Sequence, residues 1–294
     1  MAAAIFVVLG HMPVAAGDFR SPDILVLGDS QISFGSGPVL LDFFQNIDTH
    51  CGMTPEAAKD LERLGDKAVA VIGVRSTSLR SWAARKGSAK GSICDVDKKW
   101  KANAGTFGTV NTTENKYVQI GKGPQYQFCK KGQSAFEAMF TKGYYEPKLL
   151  IMTFLGNSAH RWSADKYKAL EDVEATMSQL PEGLPCIFMT TAPSYTKKSV
   201  ALRLKAQENV KYAFSMQGSR CSFVEGFTPE TIDANQGNRL YFRRNKSGRV
   251  KDPFHPNEKA AENFIMVRTP DICRAVIHQM SSRPSQTASL PSIP

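Results

Sequence analysis

Ser30 closes the tetrapeptide Leu27-Gly28-Asp29-Ser30 at the end of an apolar run, Ile24-Leu25-Val26-Leu27, and far downstream the chain reads Asp252-Pro253-Phe254-His255-Pro256. A serine hydroxyl is a weak nucleophile until an imidazole takes its proton. That imidazole works best when a carboxylate fixes its tautomer and stabilises its charged form. Ser30, His255 and Asp252 are the three groups this chemistry needs. Alone, a Gly-Asp-Ser after an apolar run is most often a plain turn, and Asp and His three apart are most often a solvated loop or helix start. The order and contexts of the two segments favour the catalytic reading.

Elimination among the five histidines points the same way. His11 lies in an apolar N-terminal stretch, His50 beside Cys51 in a polar turn, and His278 near the C-terminal end. None of these has a nearby carboxylate and a strand exit together. His160 is the competitor, but Asp252 and two prolines hold His255 in a restricted turn, so His255 is read as the base. His160, with Arg161 and Trp162, suits a substrate-facing role. No HExxH or paired CxxC spacing marks a metal site, and the turn after the first strand lacks both the GxGxxG pattern and a P-loop lysine. Hydrolysis without a cofactor or metal is the simpler expectation.

These groups need a scaffold. Strands are expected near 23–28, 67–73, 147–154, 184–190 and 221–226, alternating with helices near 36–48, 55–65, 133–142, 163–180, 197–216 and 257–280. This alternation predicts an α/β fold, a three-layer sandwich with a central, mostly parallel sheet of about five strands covered on both faces. Such a sheet delivers Ser30 to its carboxyl edge, where ligands bind. A single domain is expected over 17–281, with two segments breaking the alternation, at about 88–130 and 227–251. The first is read as a loop insertion closed by a Cys94–Cys129 disulfide. The second carries Arg239, Arg243, Arg244, Lys246, Arg249 and Lys251, so Arg243 and Arg244 are expected beside the site as substrate contacts. Both segments are placed where a lid or substrate wall can form. Residues 282–294, rich in Ser and Pro, read as a disordered tail.

The blocks GDSQISFG and DPFHPNEKAAENF resemble the first and last blocks of the GDSL or SGNH hydrolase superfamily, over nearly the whole chain from Asp23 to about Arg268. The family's leucine after the serine is Gln31 here. The resemblance implies an SGNH, flavodoxin-like hydrolase fold, with Ser30 as nucleophile and Asp252 and His255 completing a triad. It also implies an oxyanion hole made by the amides of Ser30 and of a second-block residue, and by an asparagine side chain. That second-block position is Ser76, where the family has glycine, with Gly73 the alternative donor. The asparagine is Asn157, in a Leu155-Gly156-Asn157-Ser158 block that departs from the usual Gly-x-Asn.

The apolar segment ending at Val14-Ala15-Ala16 reads as a signal peptide over 1–16, although basic residues in front of it are missing. Six cysteines agree with export to a secreted or periplasmic location. Cys186 and Cys221 sit in or beside consecutive strands and read as small buried residues that need not bond. After the signal, no stretch is long enough for a convincing transmembrane span. A net charge of +10 points to an acidic partner, but no basic run interleaved with aromatics marks a nucleic-acid site. The expected substrate is therefore an acylated small molecule or polysaccharide, acidic in one version. The leading expectation is a serine esterase removing acyl groups, above all acetyl, from carbohydrate. Lipase, lysophospholipase or thioesterase action, polysaccharide O-acetyl transfer and non-catalytic polysaccharide binding are the alternatives.

Overall fold

The first strand is apolar at every position because both of its faces are covered. Ile24 and Val26 enter one core cluster and Leu25 and Leu27 the other, the alternation that a doubly covered strand imposes. The coordinates are a computed structural model that describes residues 21–85, 87, 92–93, 103–108, 117–119, 132–140, 145–218 and 220–281. The expected signal peptide, most of the 88–130 segment with Cys94 and Cys129, and the 282–294 tail lie outside the described residues.

Five strands run parallel: β1 (Ile24–Gly28), β2 (Val69–Val74), β5 (Leu149–Thr153), β6 (Cys186–Met189) and β7 (Cys221–Val224). Two short strands inside the first inserted segment, β3 (Asn103–Gly108) and β4 (Tyr117–Gln119), add antiparallel pairs beyond β2. The sheet order is β4-β3-β2-β1-β5-β6-β7. The parallel part therefore has the flavodoxin-like order, in which the chain reverses direction across the sheet between β1 and β5. The crevice outside the carboxyl ends of the two strands at that switch point is where such sheets bind ligands.

Helices cover both faces. On one side α4 (Leu79–Ala83), α5 (Ala135–Phe140), α6 (Ala159–Ala164), α7 (Lys166–Met177) and α8 (Lys197–Ser215) pack around Trp82, Phe154, Trp162 and Phe188. On the other, α1 (Gly37–Gln45), α2 (Ile47–Cys51), α3 (Pro55–Glu62) and α10 (Glu258–Ser281) pack Phe43, Phe44, Phe264 and Val276 against the sheet. Segment 227–251 contains a further helix, α9 (Pro229–Asn235), begun by a Thr228–Thr231 capping box. It then turns back on itself through an Arg244–Val250 bridge.

Among the described residues, two disulfides each fasten neighbouring elements within one layer. Cys51 on α2 bonds Cys273 on α10, and Cys186 bonds Cys221. The second bond joins two cysteines that the sequence alone allows to remain unbonded. They open adjacent parallel strands in register with each other, and their Cα atoms lie 4.6 Å apart, inside the range a disulfide spans. No described helix is long and apolar enough to cross a membrane.

Candidate active site

β1 delivers Ser30 through a tight turn. A Cβ on Gly28 would lie 2.5 Å from the Thr153 carbonyl oxygen, so only glycine lets β1 run this close to β5. After Asp29 the chain enters a helix at Ser30, passes through a π-helical turn over Ile32–Ser36 and continues into α1. Such turns are frequent at functional sites. Asp29 faces inward, and its Oδ1 accepts the Gln31 amide at 2.9 Å. Burial pushes its carboxyl above the ordinary aspartate range, opposed by that amide and by the charges of Arg203 and His255.

Ser30 Oγ lies 2.8 Å from His255 Nε2. On the far side of the ring, His255 Nδ1 lies 2.8 Å from Asp252 Oδ2 and 3.0 Å from Oδ1. With the proton on Nδ1 donated to Asp252, Nε2 is an acceptor for the serine hydroxyl. Asp252 also organises its own turn, its Oδ1 accepting the amides of Phe254 and His255 at 3.1 and 3.3 Å. Partial burial alone would raise the Asp252 carboxyl. The hydrogen bond and charge of His255, with the two amides, outweigh that and hold it below the usual range. The imidazole packs on Phe34, ring centroids 4.4 Å apart, and the Arg75 guanidinium lies over the same Phe34 ring at 4.0 Å.

The turns after β2 and β5 meet through Asn157, which lines the same cleft as Ser30. Ser76 has a φ of +62°, in the left-handed region that glycine adopts freely. The next residue, Thr77, anchors this turn by donating from Oγ1 to the Val74 carbonyl at 2.7 Å, while its own carbonyl accepts Asn157 Nδ2 at 2.7 Å. Gly73 sits inside β2. A Cβ there would lie 2.4 Å from the side chain of Ile32, so its place is explained by close packing.

A cleft of about 240 Å³ opens over Ser30 and His255, lined also by Asn157, His160, Arg203 and Phe254 among others, while Ser76 and Gly73 do not line it. The expected contacts divide. His160 is on its exposed rim. Arg161 does not line it, because its guanidinium is engaged by Glu171 at 2.7 Å and Asp172 at 3.1 Å. Arg243 is exposed, 3.9 Å from Asp252 Oδ2, and Arg244 lies in the exposed turn beyond it, neither lining the cleft. Two contributors have no local sequence signature. Gln31 Nε2 donates to the Ala192 and Phe254 carbonyls, both at 3.3 Å. Arg203, only 6% exposed, lies on the apolar face of α8 with Val200, Ala206 and Val210. An arginine at helical spacing among those residues was the available sign. Among the described residues, no group of three or more His, Cys, Asp or Glu is arranged to hold a metal ion.

The molecule is thus an α/β protein of flavodoxin-like strand order, with a serine, a histidine and an aspartate in hydrogen-bonded sequence at the switch point. No protein-family model and no curated protein matches the chain. Among solved structures, it is similar to a DUF4886 family protein from Bacteroides uniformis, with 9% identity, 94% of this chain and 89% of that one covered, and a TM-score of 0.44. It is also similar to a family two carbohydrate esterase from Clostridium thermocellum solved with cellohexaose. There the identity is 14%, 89% of this chain and 66% of that one are covered, and the TM-score is 0.39. The class of fold rests on the strand order, independently of either.

Proposed function

We propose that the protein is a serine esterase that removes small acyl groups, acetyl foremost, from a carbohydrate alcohol. The observation that carries this reading is the hydrogen-bonded sequence from Ser30 through His255 to Asp252, of which Ser30 and His255 line a cleft. In this mechanism Ser30 Oγ attacks the ester carbonyl as its proton passes to His255 Nε2, and Asp252 stabilises the imidazolium. The tetrahedral intermediate collapses when His255 returns the proton to the leaving alcohol, leaving an acyl group on Ser30. Water then enters, His255 takes its proton, and a second intermediate releases the acid and restores Ser30.

Three donors serve the oxyanion in both intermediates: the amides of Ser30 and Ser76, and the Asn157 side chain. An amide NH₂ has two hydrogens, so the one given to Thr77 leaves a second for the substrate. Serine in place of glycine at position 76 keeps the backbone donor. The exposed Phe254 ring on the cleft wall gives the alcohol portion an apolar face. The disulfides fit an exported protein.

The test is turnover of aryl esters of increasing chain length by the parent and by Ser30→Ala. Acetate preference with loss of turnover in the variant supports the reading. Octanoate preference replaces it with a lipase, and no Ser30-dependent turnover removes the esterase assignment.

A further inference from the structure

The Phe254 carbonyl, one peptide before His255, accepts hydrogen bonds from two directions: Gln31 Nε2 at 3.3 Å and Arg203 Nη1 at 3.5 Å. A carbonyl oxygen has two lone pairs and can accept both. Gln31 follows the serine directly in the chain. Arg203 comes from α8, which starts at a Thr196 cap whose Oγ1 accepts the Ser199 amide and belongs to neither catalytic segment. The same residue holds a guanidinium in the interior, and a buried cation needs opposing charge and acceptors to remain there. Asp29 and Asp252 supply the charge, acting on it from the serine turn and the histidine turn. The Phe254 ring lies 5.9 Å from its Cζ.

The local sequence makes room for this cation. A Cβ at position 156 would lie 3.2 Å from Arg203 Nη2 and 3.6 Å from Asp29 Oδ2, so Gly156 leaves open the space between them. The histidine turn is held internally by Asp252 Oδ1 on the Phe254 and His255 amides. It is held externally by the Tyr195 amide on the Pro253 carbonyl at 2.9 Å. These bonds fix the shape of the turn. The two donors on Phe254 fix where that shape sits relative to Ser30.

We propose that Arg203 is a positioning residue, whose guanidinium holds the Phe254 carbonyl from α8 and so keeps His255 in line with both Ser30 and Asp252. This role rests on the triad reading above, but it has a readout that does not need ester turnover. The imidazole nitrogen NMR spectrum of His255, assigned by its loss in His255→Ala, reports the ring's tautomer. In the parent a single Nδ1–H form is expected, and in Arg203→Ala a mixture of tautomers. Turnover of an aryl acetate should fall about 100-fold in kcat with KM unchanged, the scale of a displaced catalytic group. Added guanidinium, small enough for the vacated space, should restore both the spectrum and kcat.

Should Arg203→Ala fail to fold, Gly156→Ala supplies the second arm. It keeps the cation but crowds it, and is expected to shift the His255 spectrum in the same direction by less. An unchanged His255 spectrum in a folded variant overturns the proposal, as does a loss of kcat that guanidinium leaves unrepaired. If the parent shows no Ser30-dependent turnover the esterase reading fails, while the spectra still decide the role of Arg203.

Discussion

The Asn157 side-chain amide donates to the Thr77 carbonyl at 2.7 Å, joining the turn after β5 to the turn after β2. One residue thus ties together the two loops proposed to serve the oxyanion, so Asn157→Ala should remove a proposed donor and loosen the turn that carries Ser76. The expected result in steady-state kinetics is a drop in kcat of about 100- to 1000-fold, with KM little changed. Parental kcat in this variant would take Asn157 out of the mechanism.

Ser76 adopts a backbone conformation that costs a residue with a Cβ about 1 kcal/mol. Ser76→Gly should therefore raise unfolding stability by about that amount in denaturant titration, while keeping parental turnover because the N–H remains. A fall in turnover would assign work to the serine side chain itself.

Asp29 gives a pH signature. Its folded-state pKa is raised, chiefly by burial, so the folded chain holds this proton to higher pH than the unfolded chain. Stability then falls as pH rises from the ordinary aspartate value through the raised one. Asp29→Asn should flatten that decline in thermal unfolding measured from acid to neutral pH; parallel curves for parent and variant would contradict it. Asp252 has the opposite sign. Its lowered pKa gives stability that is present above the unfolded value and lost as pH falls through the folded one.

The Cys51–Cys273 bond closes a loop with a sequence separation of 222, for which chain entropy gives about 5 kcal/mol. The double variant Cys51→Ser/Cys273→Ser should unfold at clearly lower denaturant concentration. Its turnover should persist under native conditions, since neither residue lines the cleft. An unchanged midpoint would show that this bond does not stabilise the fold.

What the sequence discloses here follows the range of each signal. A strand covered on both faces must be apolar throughout, and the runs at Ile24–Leu27 and Leu149–Met152 are, so the parallel sheet is legible. Strands β3 and β4 are not, because Asn103–Gly108, NAGTFG, holds two glycines and no continuous apolar run, and Tyr117–Gln119 is only three residues long. Ser30, Asp252 and His255 lie in short segments with local signatures, and the fold brings them within hydrogen-bonding distance. The Cys186–Cys221 bond depends on strand register, which periodicity does not determine. Gln31 and Arg203 depend on a carbonyl contributed by a distant turn, and Arg161 is occupied by carboxylates on α7. Such assignments require tertiary structure.

Activation of Ser30 as a nucleophile by His255 is read out by treating the folded protein with a fluorophosphonate, whose fluoride is displaced by an activated serine oxygen, and mapping the adduct by peptide mass spectrometry. One adduct is expected, on the peptide containing Ser30, absent from Ser30→Ala and strongly slowed in His255→Ala. An unlabelled parent, or labelling of Ser30 at the same rate without His255, would contradict it.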